Sequence, residues 1–232
     1  MKCISKTHIG KVRKTNQDSM LVQPPLYVVA DGMGGHKGGE VASGIAVSLI
    51  SKILEGAKPN KELLAEGIME INEMIYEKQL KVKELQGMGT TFTALWEDED
   101  RVLIAQVGDS RAYLLREGNF KQITQDHSVV AELIKQGAIT EEMAKTHPYR
   151  NVITRALGTN PEVEVDLFEV EKHVGDQWVI CSDGLTKYLC AAEMQLILQE
   201  LPLETVAEEY LEYALSAGGG DNITFLLLEV EE

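Results

Sequence analysis

Four aspartates stand at the ends of short apolar runs, and that placement constrains the fold more than any other feature of the chain. Asp31 closes Tyr27-Val-Val-Ala30, Asp109 closes Ala105-Gln-Val-Gly108 and Asp183 closes Val179-Ile-Cys-Ser182. Asp221 stands just ahead of the apolar run 223–230. Runs of this length, rich in β-branched residues and bounded by turn formers, read as buried strands. The chain has 27 Glu but only 10 Asp, and the Glu fall mostly on the polar sides of helical stretches. A single Asp-Gly pair is commonly a plain turn. Four aspartates at apolar strand ends invite a second reading. If those strands share a sheet edge, their carboxylates converge and repel one another, and hard divalent cations would relieve the repulsion. An all-oxygen donor set suits magnesium or manganese better than zinc, which favours His and Cys.

The remaining pattern alternates between periods. Residues 39–54 have a helical period, with Val41, Ile45, Leu49 and Ile53 as the expected core stripe. A second helix is predicted from Asn60, its N-cap, to about 84, with Leu64, Ile68, Ile71 and Ile75 on one face. Strands are expected over 90–96, 102–107 and 112–116, the last turning at Glu117-Gly-Asn119 into 120–124. Asp126 is positioned to cap a helix over 127–136, stopped by Gly137. Residues 137–162 read as irregular. Strands at 163–170 and 177–182, helices near 191–200 and 203–217, and a strand at 222–230 complete the chain. Without repeat or linker, residues 1–232 are expected to form one domain of mixed α+β layers.

With 22 Lys+Arg against 37 Asp+Glu the formal charge is −15, which argues against a nucleic-acid or anionic-membrane binder. No apolar run approaches the ~18 residues of a membrane span, and the first eight residues lack a signal-peptide core. Cys3, Cys181 and Cys190 cannot all pair and form no Cys-x-x-Cys. These features predict a cytoplasmic protein with reduced thiols. The Gly-rich stretch 31–40 lacks both the phosphate-loop ending and the dinucleotide spacing. A structural calcium module has no Asp-x-Asp-x-Asp loop to support it.

Arg13 is a lone arginine near the start of the chain, and against clustered carboxylates its fork could grip two phosphate oxygens. Read in order, Arg13, Asn16-Gln-Asp18, Val28-Val-Ala-Asp31-Gly-Met-Gly-Gly-His36, Gly89-Thr-Thr91, Gly108-Asp-Ser-Arg111, Thr154-Arg-Ala-Leu-Gly158, Ser182-Asp-Gly184 and Asp221-Asn222 form a series. The series spans nearly the whole chain and resembles the metal-dependent Ser/Thr protein phosphatases (PPM, type 2C) in their compact bacterial form.

The resemblance implies a central antiparallel β-sandwich with helices on both faces, four layers in all, and a flap at about 137–161 beside the active site. It implies two Mn2+ or Mg2+ ions bridged by Asp31, with Gly32 lending a carbonyl, Asp183 and Asp221 completing the pair, and Asp18 holding metal-bound water. Asp109 matches a residue that binds a third, weaker metal together with Asp183. Asn222 would sit beside the site and Arg13 would hold the phosphate. Relatives of the eukaryotic type carry His directly after Asp-Gly as a proposed general acid; here that position is Met33, leaving His36 or a metal-bound water for the role. The implied activity is hydrolysis of phosphoserine and phosphothreonine in proteins, opposing a eukaryotic-like bacterial Ser/Thr kinase, by a monomer. The alternative is a catalytically silent PPM-fold module that binds phosphoproteins.

Overall fold

The computed structural model describes residues 1–35 and 37–231. In chain order, β1 (Lys2–His8), β2 (Asp18–Gln23) and β3 (Leu26–Met33) lead into α1 (Gly38–Ile53) and α2 (Lys61–Lys81). Then come β4 (Gly89–Thr90), β5 (Phe92–Glu97), β6 (Arg101–Val107), β7 (Arg111–Arg116) and β8 (Asn119–Gln122). Two short helices, α3 (Val129–Lys135) and α4 (Glu141–Lys145), precede β9 (Asp166–Glu171) and β10 (Gln177–Cys181). The chain finishes through α5 (Asp183–Thr186), α6 (Ala191–Glu200), α7 (Leu203–Ser216) and β11 (Ile223–Glu229).

The strands form two antiparallel sheets. One has the order β1-β11-β10-β7-β8; the other runs β2-β3-β5-β6-β9, with β4 paired to the end of β3. The two-residue side-chain period of a strand sends alternate residues to opposite faces, and the cores divide accordingly. Tyr27 and Val29 of β3, Leu95, Ile104, Trp178, Ile180, Leu226 and Leu228 pack between the sheets. Leu26, Val28 and Ala30 of β3 face the other way, onto α1 and α2. Val179, Phe225 and Leu227 meet Met194, Leu198, Val206 and Tyr210 of α6 and α7. The result is the four-layer α-β-β-α sandwich expected.

Several local expectations hold. The α2 stripe Leu64, Ile68, Ile71 and Ile75 is fully buried, and Asn60 caps the helix by accepting from the Leu63 N–H at 2.9 Å. The β7–β8 hairpin turns through Glu117 and Gly118, both at positive φ, with Arg116 opposite Asn119.

Others need correction. The buried line of α1 is Ala42, Ala46 and Ile50; Val41, Ile45, Leu49 and Ile53 are only partly buried beside it. Small residues let the helix lie close on β3, so the larger branched ones fill its flanks. Asp126 does not cap α3. Ser128 does, accepting from Ala131 N–H at 3.3 Å, while Asp126 receives the Arg111 fork at 2.9 and 2.6 Å. The stretch expected to be irregular contains α4, capped by Thr140, and the four-residue α5 was not foreseen. β3 runs three residues past Ala30, because Gly32 and Met33 pair with Thr90 and Gly89 of β4.

Candidate functional site

That extra length of β3 places Asp31 inside a ladder instead of in a loop. Asp31 stands directly opposite Asp18 of β2. Its backbone is held at the point where the partner strand breaks between β4 and β5: Asp31 N–H donates to Thr91 Oγ1, and Asp31 C=O accepts from Thr91 N–H, each at 2.9 Å. Thr91 is in turn tied to Ser110 at 2.7 Å, just after Asp109. On the facing sheet, Asp183 opens α5 where β10 ends. Asp221 precedes β11, the neighbour of β10 in that sheet.

Two glycines let these segments close on each other. A Cβ at Gly32 would fall 2.1 Å from the Gly39 carbonyl oxygen and 2.4 Å from that of Gln17; one at Gly184 would fall 1.8 Å from the Asn222 carbonyl oxygen. Asn222 stitches the N-terminal loop to the start of β11. Its amide donates to the carbonyls of Ile9 and Thr15 at 2.9 and 3.0 Å, and its oxygen accepts from Gln17 N–H at 2.8 Å.

Asp31, Asp109, Asp183 and Asp221 line one cleft of about 280 Å³, together with Gly32, Arg13 and Asn222. Asp18 lies behind it, buried. Its Oδ2 accepts from Ser182 Oγ at 2.9 Å, whereas its Oδ1 is buried with no hydrogen-bond partner among the described residues. A cleft of similar volume runs along the β7–β8 hairpin, but its lining holds a single acid, Glu117.

The electrostatics of the cleft are strained. Burial pushes the Asp18 carboxyl up to about 6, and the nearby Asp183 charge adds to the rise. Burial also drives Asp31 well above the carboxylate range, with the charges of Asp18, Asp183, Asp109 and Asp221 acting in the same direction. Asp109 is raised to about 7 by burial and then by Asp183 and Asp126. Asp183 is raised by burial and by Asp221, against the pull of Lys187 and Arg13. Asp31, Asp109 and Asp183 keep some contact with solvent through the cleft mouth, but the surrounding protein still disfavours their charged forms.

Among the described residues the donor set fits a hard divalent cation: carboxylates from four chain segments, no His or Cys, and an orphaned oxygen behind them. The cage is not closed, however. Among the described residues no three His, Cys, Asp or Glu side chains come together as ligands of one ion. Asp221 is engaged by the Arg13 guanidinium, Nε to Oδ1 at 2.8 Å and a terminal nitrogen to Oδ2 at 2.9 Å.

The structure thus brings Arg13, Asp31, Gly32, Asp109, Asp183, Asp221 and Asn222 to one cleft, with Asp18 directly behind. His36 lies outside the described residues. Of the segment expected to be a flap, Asn151 and Ile153 reach the cleft.

Two contributors were not foreseen. Lys187, the residue directly after α5, lines the cleft with Nζ 3.8 Å from Asp221 Oδ2; its spacing of four from Asp183 is the available signal, but α5 is too short to show a helical period. The sequence pattern places His127 at the start of the helix expected over 127–136. Its backbone N–H donates to the Gly108 carbonyl and its Nδ1 accepts from Gly108 N–H, both at 3.0 Å, so it clamps the turn that presents Asp109. Burial lowers its pKa, which keeps Nδ1 free to accept.

Comparison with known proteins identifies the family. The family model described as Protein phosphatase 2C matches residues 7–218. The chain is 42% identical to a serine/threonine phosphatase stp of Listeria innocua, over 97% of this chain and 94% of that protein. A crystal structure of the Mycobacterium tuberculosis serine/threonine phosphatase PstP/Ppp superposes with a TM-score of 0.94 at 36% identity, covering 100% of this chain and 99% of the other. A catalytic domain of PstP in complex with two manganese ions gives a TM-score of 0.91 at 34% identity, over 100% of this chain and 98% of that one.

Proposed function

The chain belongs to the protein phosphatase 2C family, a serine/threonine phosphatase by its kinship, and from that premise we propose that it hydrolyses phosphoserine and phosphothreonine in proteins at a two-metal centre. The observation that carries the reading is the meeting of Asp31, Asp109, Asp183 and Asp221 in one cleft, where the acids raise one another's pKa and only Arg13 and Lys187 oppose them.

Asp31, Gly32, Asp183 and Asp221 are the residues that would hold two Mn2+ or Mg2+ ions, with Asp109 and Asp183 offering a third, weaker position. Bound there, such ions supply a nucleophile at neutral pH and offset charge on the phosphoryl oxygens. The chain's own groups do the positioning. Arg13, half exposed at the cleft mouth, presents a planar fork that matches two oxygens of a phosphate. Thr91 and Asp18 fix Asp31 from the backbone side and from behind. Asn222 anchors the loop that carries Arg13. Met33 lines the cleft and has no proton to give; His36 or a metal-bound water is the group assigned to protonate the departing serine or threonine oxygen.

The same reading places the protein opposite a Ser/Thr kinase in the cytoplasm. No described helix is long and apolar enough to cross a membrane. The test is release of phosphate from p-nitrophenyl phosphate and from a phosphothreonine peptide, with Mn2+ and with EDTA. Turnover that needs the metal supports the reading; metal binding without turnover would instead favour a silent phosphoprotein-binding module.

A further inference from the structure

Among the described acids lining the cleft, Asp221 alone has ion-pair partners, and it has two. The Arg13 fork occupies both of its oxygens at 2.8 and 2.9 Å, and Lys187 Nζ stands 3.8 Å from Oδ2. Both cations line the cleft, and both favour the charged form of Asp183. They arrive from opposite ends of the chain. Arg13 comes from the loop between β1 and β2, and Lys187 follows directly on α5, its N–H bonded to the Asp183 carbonyl at 2.8 Å.

A carboxylate gripped at both oxygens by a guanidinium offers few lone pairs to anything else, so Arg13 and an incoming divalent ion compete for the same atoms. An exposed pair of this kind is weak on its own, and both side chains are substantially solvent-exposed, Arg13 at 50% and Lys187 at 36%. Each can therefore leave Asp221 at little cost. Resting on the phosphatase reading of this cleft, we propose that Asp221 is an exchange point. Arg13 and Lys187 serve as its counter-ions in the metal-free protein; when a divalent cation takes the carboxylate, both are released onto the phosphoryl oxygens, Lys187 acting as a second phosphate-binding cation.

The charge balance gives the direction. Asp31, Asp109, Asp183 and Asp221 outnumber the two cations that line the cleft with them, so without a metal the cleft offers a phosphate dianion no surplus of positive charge. Once divalent cations neutralise the carboxylates, the two freed side chains face the cleft with no acid to satisfy, and an anion fills that role. Arg13 suits a forked contact and Lys187 a single point charge on a flexible stem. Metal and phosphate must then bind with positive coupling, and the coupling is reciprocal.

Calorimetric titration of Mn2+ into the metal-free protein, with and without inorganic phosphate, tests this on the wild type, Lys187→Gln and Lys187→Arg, with thermal melting to verify that each variant is folded. In the wild type, phosphate should tighten Mn2+ binding on the order of tenfold. Lys187→Gln should bind Mn2+ alone several-fold more tightly than the wild type yet lose most of the gain from phosphate, and Lys187→Arg should restore that gain. Equal Mn2+ affinity in Lys187→Gln and wild type overturns the proposal, as does a phosphate effect that is absent in the wild type or unchanged in the variant. Wild-type hydrolysis of p-nitrophenyl phosphate in Mn2+ separates the two readings: if it persists while the coupling fails, the exchange at Asp221 is wrong and the phosphatase reading stands.

Discussion

Replacing Asp18 by Asn should stabilise the metal-free protein. Asp18 is buried with one oxygen unpartnered, opposite Asp31, and its carboxyl is raised from 3.8 to about 6. A carboxyl raised in the fold favours folding only while protonated. Its penalty starts as pH passes about 4 and is complete once pH exceeds about 6. At pH 7.5 that penalty is about 3 kcal/mol, from roughly 1.4 kcal/mol per pH unit of difference between folded and unfolded chain. An asparagine keeps an oxygen to accept from Ser182 Oγ and places an amide nitrogen where the orphaned oxygen lies, able to donate toward Asp31. For a chain of this size, about 3 kcal/mol corresponds to a rise in Tm of roughly 6–12 °C. Scanning calorimetry in EDTA should show that rise at pH 7.5 and only about half a kcal/mol of it at pH 4. In saturating Mn2+ the advantage should shrink or reverse, because the wild type gains by binding the ion. A variant less stable than the wild type in EDTA at pH 7.5, or a gain independent of pH, would refute the burial argument.

Other changes should separate chemistry from support. Asp31→Asn should reduce hydrolysis of p-nitrophenyl phosphate to background while circular dichroism remains that of the wild type; near-normal turnover in added Mn2+ would remove Asp31 from the centre. Arg13→Ala should chiefly raise KM for phosphate esters, and a fall in kcat at constant KM would restrict Arg13 to the transition state. Asn72→Ala should cost about 2–4 kcal/mol in urea unfolding, because this buried side chain of α2 accepts from Gly158 N–H at 2.8 Å and donates to the carbonyls of Asn160 and Pro161 at 3.0 and 3.1 Å. Gly184→Ala should cost about 1–3 kcal/mol by overpacking against Asn222 and weaken Mn2+ binding as Asp183 shifts; wild-type Mn2+ affinity would show that the segment gives way without moving Asp183.

The fold was legible wherever burial imposed a strict period. The fully buried α2 stripe and the alternating faces of β3 follow from that constraint. The phase of α1 did not follow, because Ala42 and Ala46 carry a weak apolar signal yet are fully buried. Capping of α3 was misplaced because Asp126 and Ser128 are both good caps, and a partner distant in sequence, Arg111, decides between them. The aspartates announced the site by standing at strand ends, a local feature. What gathers them is tertiary: the break between β4 and β5 that holds Asp31 and the close approach of Gly184 to Asn222. Lys187, Asn72 and the His127 clamp were hidden for the same reason, since each acts on a segment that the sequence separates from it by a loop or more. The resemblance to a known family supplied expected roles that spacing alone left open, above all the proposal that Asp31 is shared between two ions.

Anomalous diffraction at the manganese edge, from crystals grown with Mn2+, tests the central claim most directly. Two peaks about 3.5–4 Å apart, both within ligand distance of Asp31 and flanked by Asp183 and Asp221, are the expected result. Peaks only at surface carboxylates such as Glu142 or Glu164, with none in the cleft, would contradict it.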